Sequence, residues 1–149
     1  MKVTDYDRIA YPSAPLPRTH PYFLGGIALQ YGLDAPGSVR VLDIGCGAGR
    51  NLAWIAATVS GATCLGVDLA GSAIADAQAF AARIEIANVR FVHADFRESP
   101  AGEFDYIVAH GLYSWTPPEV RAALLRFIDE RLSPQGIAIV SFHEESRAW

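Results

Sequence analysis

The chain has 149 residues, 51% of them hydrophobic and 19% charged, which is enough for one domain with a substantial core. Its formal net charge is -4 and its twelve basic residues are scattered, so it offers no electrostatic footprint for nucleic acid or an anionic membrane surface. No apolar run approaches the roughly 18 residues of a spanning helix, the N-terminus lacks signal-peptide order, and Cys46 and Cys64 give neither a disulfide framework nor metal-ligand spacing, so a cytoplasmic domain with no implied metal is expected.

Residues 1–21 carry Tyr6, Tyr11, Pro12, Pro15, Pro17, His20 and Pro21 with little apolar periodicity, and read as an extended arm. A helix over His20–Tyr31 follows, with Gly32 suited to its C-terminal cap. From Val39 short apolar runs alternate with helical stretches. Strands are predicted at Val39–Ile44, Thr63–Val67, Val89–His93, Phe104–Ala109 and Ile137–Phe142, and helices at Asn51–Val59, Ser72–Ile86 and Glu119–Leu132. In the last helix Val120, Ala123, Leu124, Phe127 and Ile128 form one apolar face, and Thr116, Pro117 and Glu119 offer a capping box. Such alternation predicts a doubly wound α/β fold, Rossmann-like and mostly parallel, with helices on both faces. The whole chain is expected to be one domain, with residues 39–149 as its core.

The segment Val41-Leu42-Asp43-Ile44-Gly45-Cys46-Gly47-Ala48-Gly49-Arg50-Asn51 is an apolar strand that ends in three alternating glycines and enters a helix. Glycines let a ligand lie against the main chain, and the helix start offers unpaired N–H groups. A dinucleotide fingerprint would need glycine at position 50, where the chain has Arg50. Cys46 is either a reactive thiol or a small residue tolerated in the turn; Cys64 reads as strand core. A second acid, Asp68, ends strand two about 20 residues beyond the loop. Asp95 and Phe96 end strand three, and His93 alternates with apolar neighbours as a rim or core histidine. Strand four leads into Ala109-His110-Gly111-Leu112-Tyr113-Ser114-Trp115.

The G-x-G-x-G spacing, with Asp43 two residues before its first glycine, resembles the first motif of class I S-adenosylmethionine-dependent methyltransferases. That resemblance implies S-adenosyl-L-methionine as cofactor. Asp43, Gly45, Cys46, Gly47, Gly49 and Asn51 then belong to its binding loop, with Asp43 on the methionine amino group. Asp68 takes the ribose hydroxyls, Leu69 the adenine face, Asp95 and Phe96 the adenine edge, and the backbone of Ala109 and His110 the ammonium. Methyl transfer is an in-line displacement that needs alignment and at most one base. His110 is the candidate base, with Tyr113 and Tyr11 as positioning groups; as plain sequence His110 is equally a structural strand-end histidine. The Asn/Asp-Pro-Pro-Tyr tetrapeptide of some amino-methyltransferases is absent, which leaves the acceptor open between a protein and a small molecule.

The arm Tyr11 to Pro21, the aromatic loop and Leu132-Ser133-Pro134-Gln135-Gly136 further resemble the catalytic domain of bacterial methyltransferases that carry a methyltransferase regulatory domain, among them rickettsial protein-lysine methyltransferases. The arm then reads as a lid that brings Tyr11 and His20 over the cofactor; otherwise it is a proline-rich leader. Against the seven strands usual in the class, the sequence supplies five. Strand five is therefore expected to be an exposed edge, open to homodimer pairing. A non-catalytic cofactor-binding module, or a fragment of a larger methyltransferase, is the alternative.

Overall fold

The computed structural model describes residues 13–99 and 101–143. Its five-stranded sheet has the order β3-β2-β1-β4-β5, and every pairing is parallel. The strands are β1 (Arg40–Ile44), β2 (Thr63–Asp68), β3 (Val89–His93), β4 (Phe104–Ala109) and β5 (Leu132–Val140). The helices are α1 (Pro21–Gln30), α2 (Arg50–Thr58), α3 (Gly71–Arg83) and α4 (Pro118–Arg131). None of the described helices is long and apolar enough to cross a membrane.

Side-chain alternation along the strands builds two cores. Val41 and Tyr106 face α1, α2 and α3, where they meet Leu24, Leu52, Ile55, Ile74, Ala77 and Phe91. Leu42, Ile44 and Ile107 face α4, where Leu124, Phe127 and Ile128 are buried and Val120 and Ala123 pack beside them, as the apolar stripe requires. β4 lies between β1 and β5 and all six of its residues are buried.

Helix ends follow backbone chemistry. α1 closes in a Schellman turn in which Gly32 (φ 73°) donates to Leu29 O and Leu33 N donates to Ala28 O at 3.0 Å. α3 closes the same way, three residues earlier than its apolar pattern suggests. There Glu85 (φ 55°) takes the left-handed position and Ile86 N donates to Ala81 O. The capping box expected before α4 is not made. Pro117 is the N-cap without a side-chain bond, and the Thr116 hydroxyl donates to Tyr113 O at 3.2 Å.

β5 also departs from its pattern. It starts at Leu132, directly after α4, and pairs Leu132 with Phe104; pairing then resumes at Ile137 opposite Tyr106. Residues 133–136 bulge out of register, and Phe142 lies beyond the strand, exposed. The Asp105 carboxylate fixes this bulge. It accepts from Ser133 Oγ, Ser38 Oγ and Arg40 N, each at 2.9 Å, and from the Arg40 guanidinium at 3.0 and 2.9 Å. The amino ends of β1, β4 and β5 are thus tied by one buried acid.

Candidate functional site

The strand order reverses between β1 and β4, and ligands of open α/β sheets bind outside the carboxyl ends at that switch. The glycine loop leaves β1 at that point. Gly45, Gly47 and Gly49 all have positive φ (75°, 52° and 69°), so the turn crosses the sheet edge in few residues and α2 starts at Arg50. Gly49 is required by space as well, since a Cβ there would lie 2.5 Å from the Phe91 ring. A Cβ on Gly47 would meet nothing within 4 Å, so that side of the loop is open to a ligand.

Two carboxylates flank the loop. Asp68, at the end of β2, accepts from Gly47 N and Ala70 N at 2.8 Å each, which aligns it beside the loop and leaves lone pairs free on both oxygens. Asp43 is 5% exposed at the penultimate position of β1. Burial pushes its pKa up to about 7; the Asn51 side-chain hydrogen bond opposes that shift and the nearby Asp68 charge adds to it. A carboxylate kept this dry gains from any cation placed against it.

Leu69, next to Asp68, is 45% exposed, and its carbonyl accepts from His93 Nε2 at 2.9 Å. His93 is therefore a rim histidine that holds this turn. Asp95 caps a single 3-10 turn (Phe96–Glu98), accepting from Arg97 N and Nε at 2.9 Å, and also pairs with Arg97 Nη2. These Arg97 hydrogen bonds hold the Asp95 pKa below the ordinary carboxylate value. The Phe96 ring is buried edge-on to Phe127. Cys46 is buried, and its Sγ lies 2.8 Å from where a Cβ on Gly66 would be. Burial raises its thiol pKa, so it packs as a small residue and is not a reactive thiol. Cys64 is buried in β2, its thiol pushed by burial to about 12.

At the end of β4, Ala109 is buried and its carbonyl accepts from Ser141 N at 3.1 Å. His110 follows it, exposed, and among the described residues its ring makes no hydrogen bond. Tyr113–Trp115 form a 3-10 turn. Arg121 lies 5.5 Å from the Tyr113 ring centroid and donates to Thr116 O and Ser114 O, while Trp115 is 67% exposed. Tyr11 lies outside the described residues.

The arm corrects two expectations. Residues 13–20 are docked rather than extended into solvent: Ser13 Oγ accepts from Arg50 N at 3.2 Å, and Thr19 is 0% exposed. His20 is not over the loop. It is the N-cap of α1, accepting from Tyr22 N, and its Nε2 meets Thr58 Oγ1 at 2.9 Å beside the Trp54 ring. Thr58 is the last residue of α2, at the end remote from the glycines, so His20 is structural. Asn51, at the first turn of α2, turns toward the arm: its Oδ1 accepts from Leu16 N and its Nδ2 donates to Thr19 Oγ1. No short-range pattern signals that contact, since its partners are 32 and 35 residues away. Arg50, which stands where a dinucleotide fingerprint needs glycine, lies 3.9 Å from the Phe80 ring centroid and pairs with Asp76 at 3.0 Å.

A family model described as a methyltransferase domain matches residues 41–136. An uncharacterized protein of Rickettsia prowazekii is 38% identical over 143 residues, 93% of this chain and 57% of that protein. A trans-aconitate 2-methyltransferase of Deinococcus radiodurans is 34% identical over 101 residues, 68% of this chain and 36% of that enzyme. Among solved structures, PKMT2 from Rickettsia typhi in complex with AdoHcy superposes with a TM-score of 0.83 at 37% identity, covering 87% of this chain and 26% of that one. The chain thus spans about half, or less, of the length of these relatives.

Proposed function

Because this chain belongs to the methyltransferase-domain family, we propose that it is an S-adenosylmethionine-dependent methyltransferase domain whose cofactor lies across the carboxyl ends of β1 to β4. The observation that carries this reading is the pair of carboxylates, Asp43 and Asp68, on either side of three left-handed glycines whose middle member faces open space. The AdoHcy complex of PKMT2 supports it.

Bound there, the cofactor supplies an electrophilic methyl on a sulfonium centre. Asp43 would hold its ammonium, with the carbonyls of Ala109 and His110 beside it. Asp68 would accept from the ribose hydroxyls, and Leu69 would cover the adenine, whose edge meets Asp95 and the Phe96 backbone. Gly45, Cys46, Gly47 and Gly49 give the main chain its close approach. Asn51 ties the arm to this loop through Leu16 N and Thr19 rather than meeting the cofactor itself. His110 would take the proton from an acceptor nitrogen or oxygen, while Tyr113 and Tyr11 position the acceptor. A protein lysine is the acceptor favoured by similarity to the rickettsial proteins. We place the domain in the cytoplasm, with strand pairing through β5 as the route to a homodimer.

Calorimetric titration with AdoHcy and with a dinucleotide tests the cofactor assignment: AdoHcy alone should bind. Transfer of labelled methyl into cell extract, separated into protein, nucleic-acid and small-molecule pools, identifies the acceptor class. Binding without transfer to any pool would favour the non-catalytic module.

A further inference from the structure

We infer that Ser141 is a positioning residue that sets the direction of His110 on the methyl-accepting side of the site. The inference rests on the reading of His110 as the base that takes the acceptor's proton.

Ser141 holds the main chain on both sides of His110. Its N–H donates to Ala109 O at 3.1 Å, and its Oγ accepts from Gly111 N at 2.8 Å. The bulge at residues 133–136 sets the register that makes this possible. Pairing resumes at Ile137 and runs on until Val140 lies opposite Ala109, so that Ser141 comes level with His110. Gly111 takes a φ of 71°, which turns the chain directly after the histidine while its N–H meets the Ser141 hydroxyl.

The clamp matters because His110 is exposed and, among the described residues, its ring makes no hydrogen bond. The backbone at residues 109–111 therefore decides where the imidazole points. The far end of the same loop is held by different groups: His143 N donates to Ser114 Oγ at 2.7 Å, and Arg121 donates to Thr116 O and Ser114 O. Removing the Ser141 hydroxyl loosens the near end and leaves the aromatic turn in place. The bond from Ser141 N to Ala109 O is main chain and survives any change of this side chain. Methyl transfer depends on alignment, and a misplacement of about 1 Å can cost about a hundredfold in rate.

The test measures transfer from labelled S-adenosylmethionine into the cell-extract pool that the parent chain methylates, together with amide hydrogen exchange at Gly111. All chains are compared well below their melting temperatures. Ser141→Ala should transfer about tenfold more slowly at saturating donor, exchange faster at the Gly111 N–H, and keep an AdoHcy affinity close to the parent's. Ser141→Thr keeps the hydroxyl and should restore both transfer and protection; Ser141→Val, which matches threonine in shape without the hydroxyl, should not. In a His110→Asn background Ser141→Ala should cost nothing further, because its effect runs through the imidazole. Transfer by Ser141→Ala at the parent rate overturns the inference, and so does an equal loss with and without the imidazole. Where His110→Asn leaves no transfer to measure, equal rates in Ser141→Thr and Ser141→Val overturn it. If His110→Asn transfers at the parent rate, or the parent binds AdoHcy and transfers to no pool, the reading of His110 as base fails and the inference falls with it.

Discussion

The two ends of the sheet each hold a buried aspartate, and the two are treated in opposite ways. At the amino end, burial of Asp105 by itself would raise its pKa. The Arg40 guanidinium and the bonds from Arg40 N, Ser133 and Ser38 outweigh that, bringing it to about 2. At the carboxyl end, deeper burial raises the pKa of Asp43 to about 7, with one hydrogen bond opposing the rise and a like charge nearby adding to it. The amino end is fully satisfied and staples three strands. The carboxyl end is left in deficit, and a carboxylate in deficit is what a cationic ligand relieves.

The contrast is broken most severely at the loop. Gly47→Val should abolish measurable AdoHcy binding. It puts a branched side chain into the open space, at a φ of 52° that such residues avoid. Next, Asp43→Asn and Asp68→Ala should each weaken binding by about ten- to a hundredfold, the loss of one charge-assisted hydrogen bond. Asp43→Asn should leave the melting temperature at pH 8 unchanged or higher, because it removes a desolvated charge. A fall of many degrees at that pH would mean the carboxylate is structural, and the contrast between the two ends would fail.

Asp105→Asn is the mirror experiment. It should cost about 1–2 kcal/mol of stability, allowing for screening at the part-exposed Arg40 guanidinium, and leave AdoHcy affinity alone. The pH dependences should also oppose. The folded pKa of Asp105 lies below its ordinary 3.8, so its stabilisation is present above that value and is lost as pH falls toward 2. Asp43 has a folded pKa above 3.8, so it binds a proton more readily in the native state, and stability falls as pH rises from 3.8 toward 7. Urea titrations across pH should show Asp105→Asn flattening the acid slope and Asp43→Asn flattening the slope on the other side. AdoHcy binding by the parent should weaken as pH falls below about 7.

How far the sequence could be read follows the same division. Period and glycine spacing revealed β1 to β4, the apolar face of α4, the Gly32 turn and the loop acids, because each is written within a few consecutive residues. The apolar pattern starts β5 five residues late, since Ser133-Pro134-Gln135-Gly136 looks like a turn and the contact that makes it a bulge comes from Asp105, 28 residues away. The pattern runs α3 too long because Glu85 occupies a position where glycine is the usual signal. Want of apolar periodicity makes the arm read as an extended leader, and only the family resemblance makes it a lid; the docking of residues 13–20 uses Thr19, Ser13 and a backbone N–H, which leave no periodic trace. The motif alone places Asn51 beside the cofactor, whereas its contacts with Leu16 N and Thr19 are set by tertiary structure.

Arg50 carries the smallest expected effect and sharpens the comparison at the rim of the site. Its guanidinium lies over Phe80, bonds Ala48 O at 3.0 Å and pairs with an exposed Asp76, so it ties the end of the loop to α3. A cation over an aromatic ring contributes about 0.5–1 kcal/mol, and an ion pair of this exposure less than about 1 kcal/mol. Arg50→Ala should therefore lower stability by about 1 kcal/mol, a loss that shrinks in high salt for the ion-pair part only. AdoHcy affinity should fall by a few-fold at most, because Gly49 against Phe91 and Gly47 N on Asp68 still hold the turn. Thermal melts at two salt concentrations, paired with calorimetry, measure both effects. A hundredfold loss of affinity would place the guanidinium on the ligand itself, and the carboxyl end would then owe its specificity to a cation as well as to its two acids.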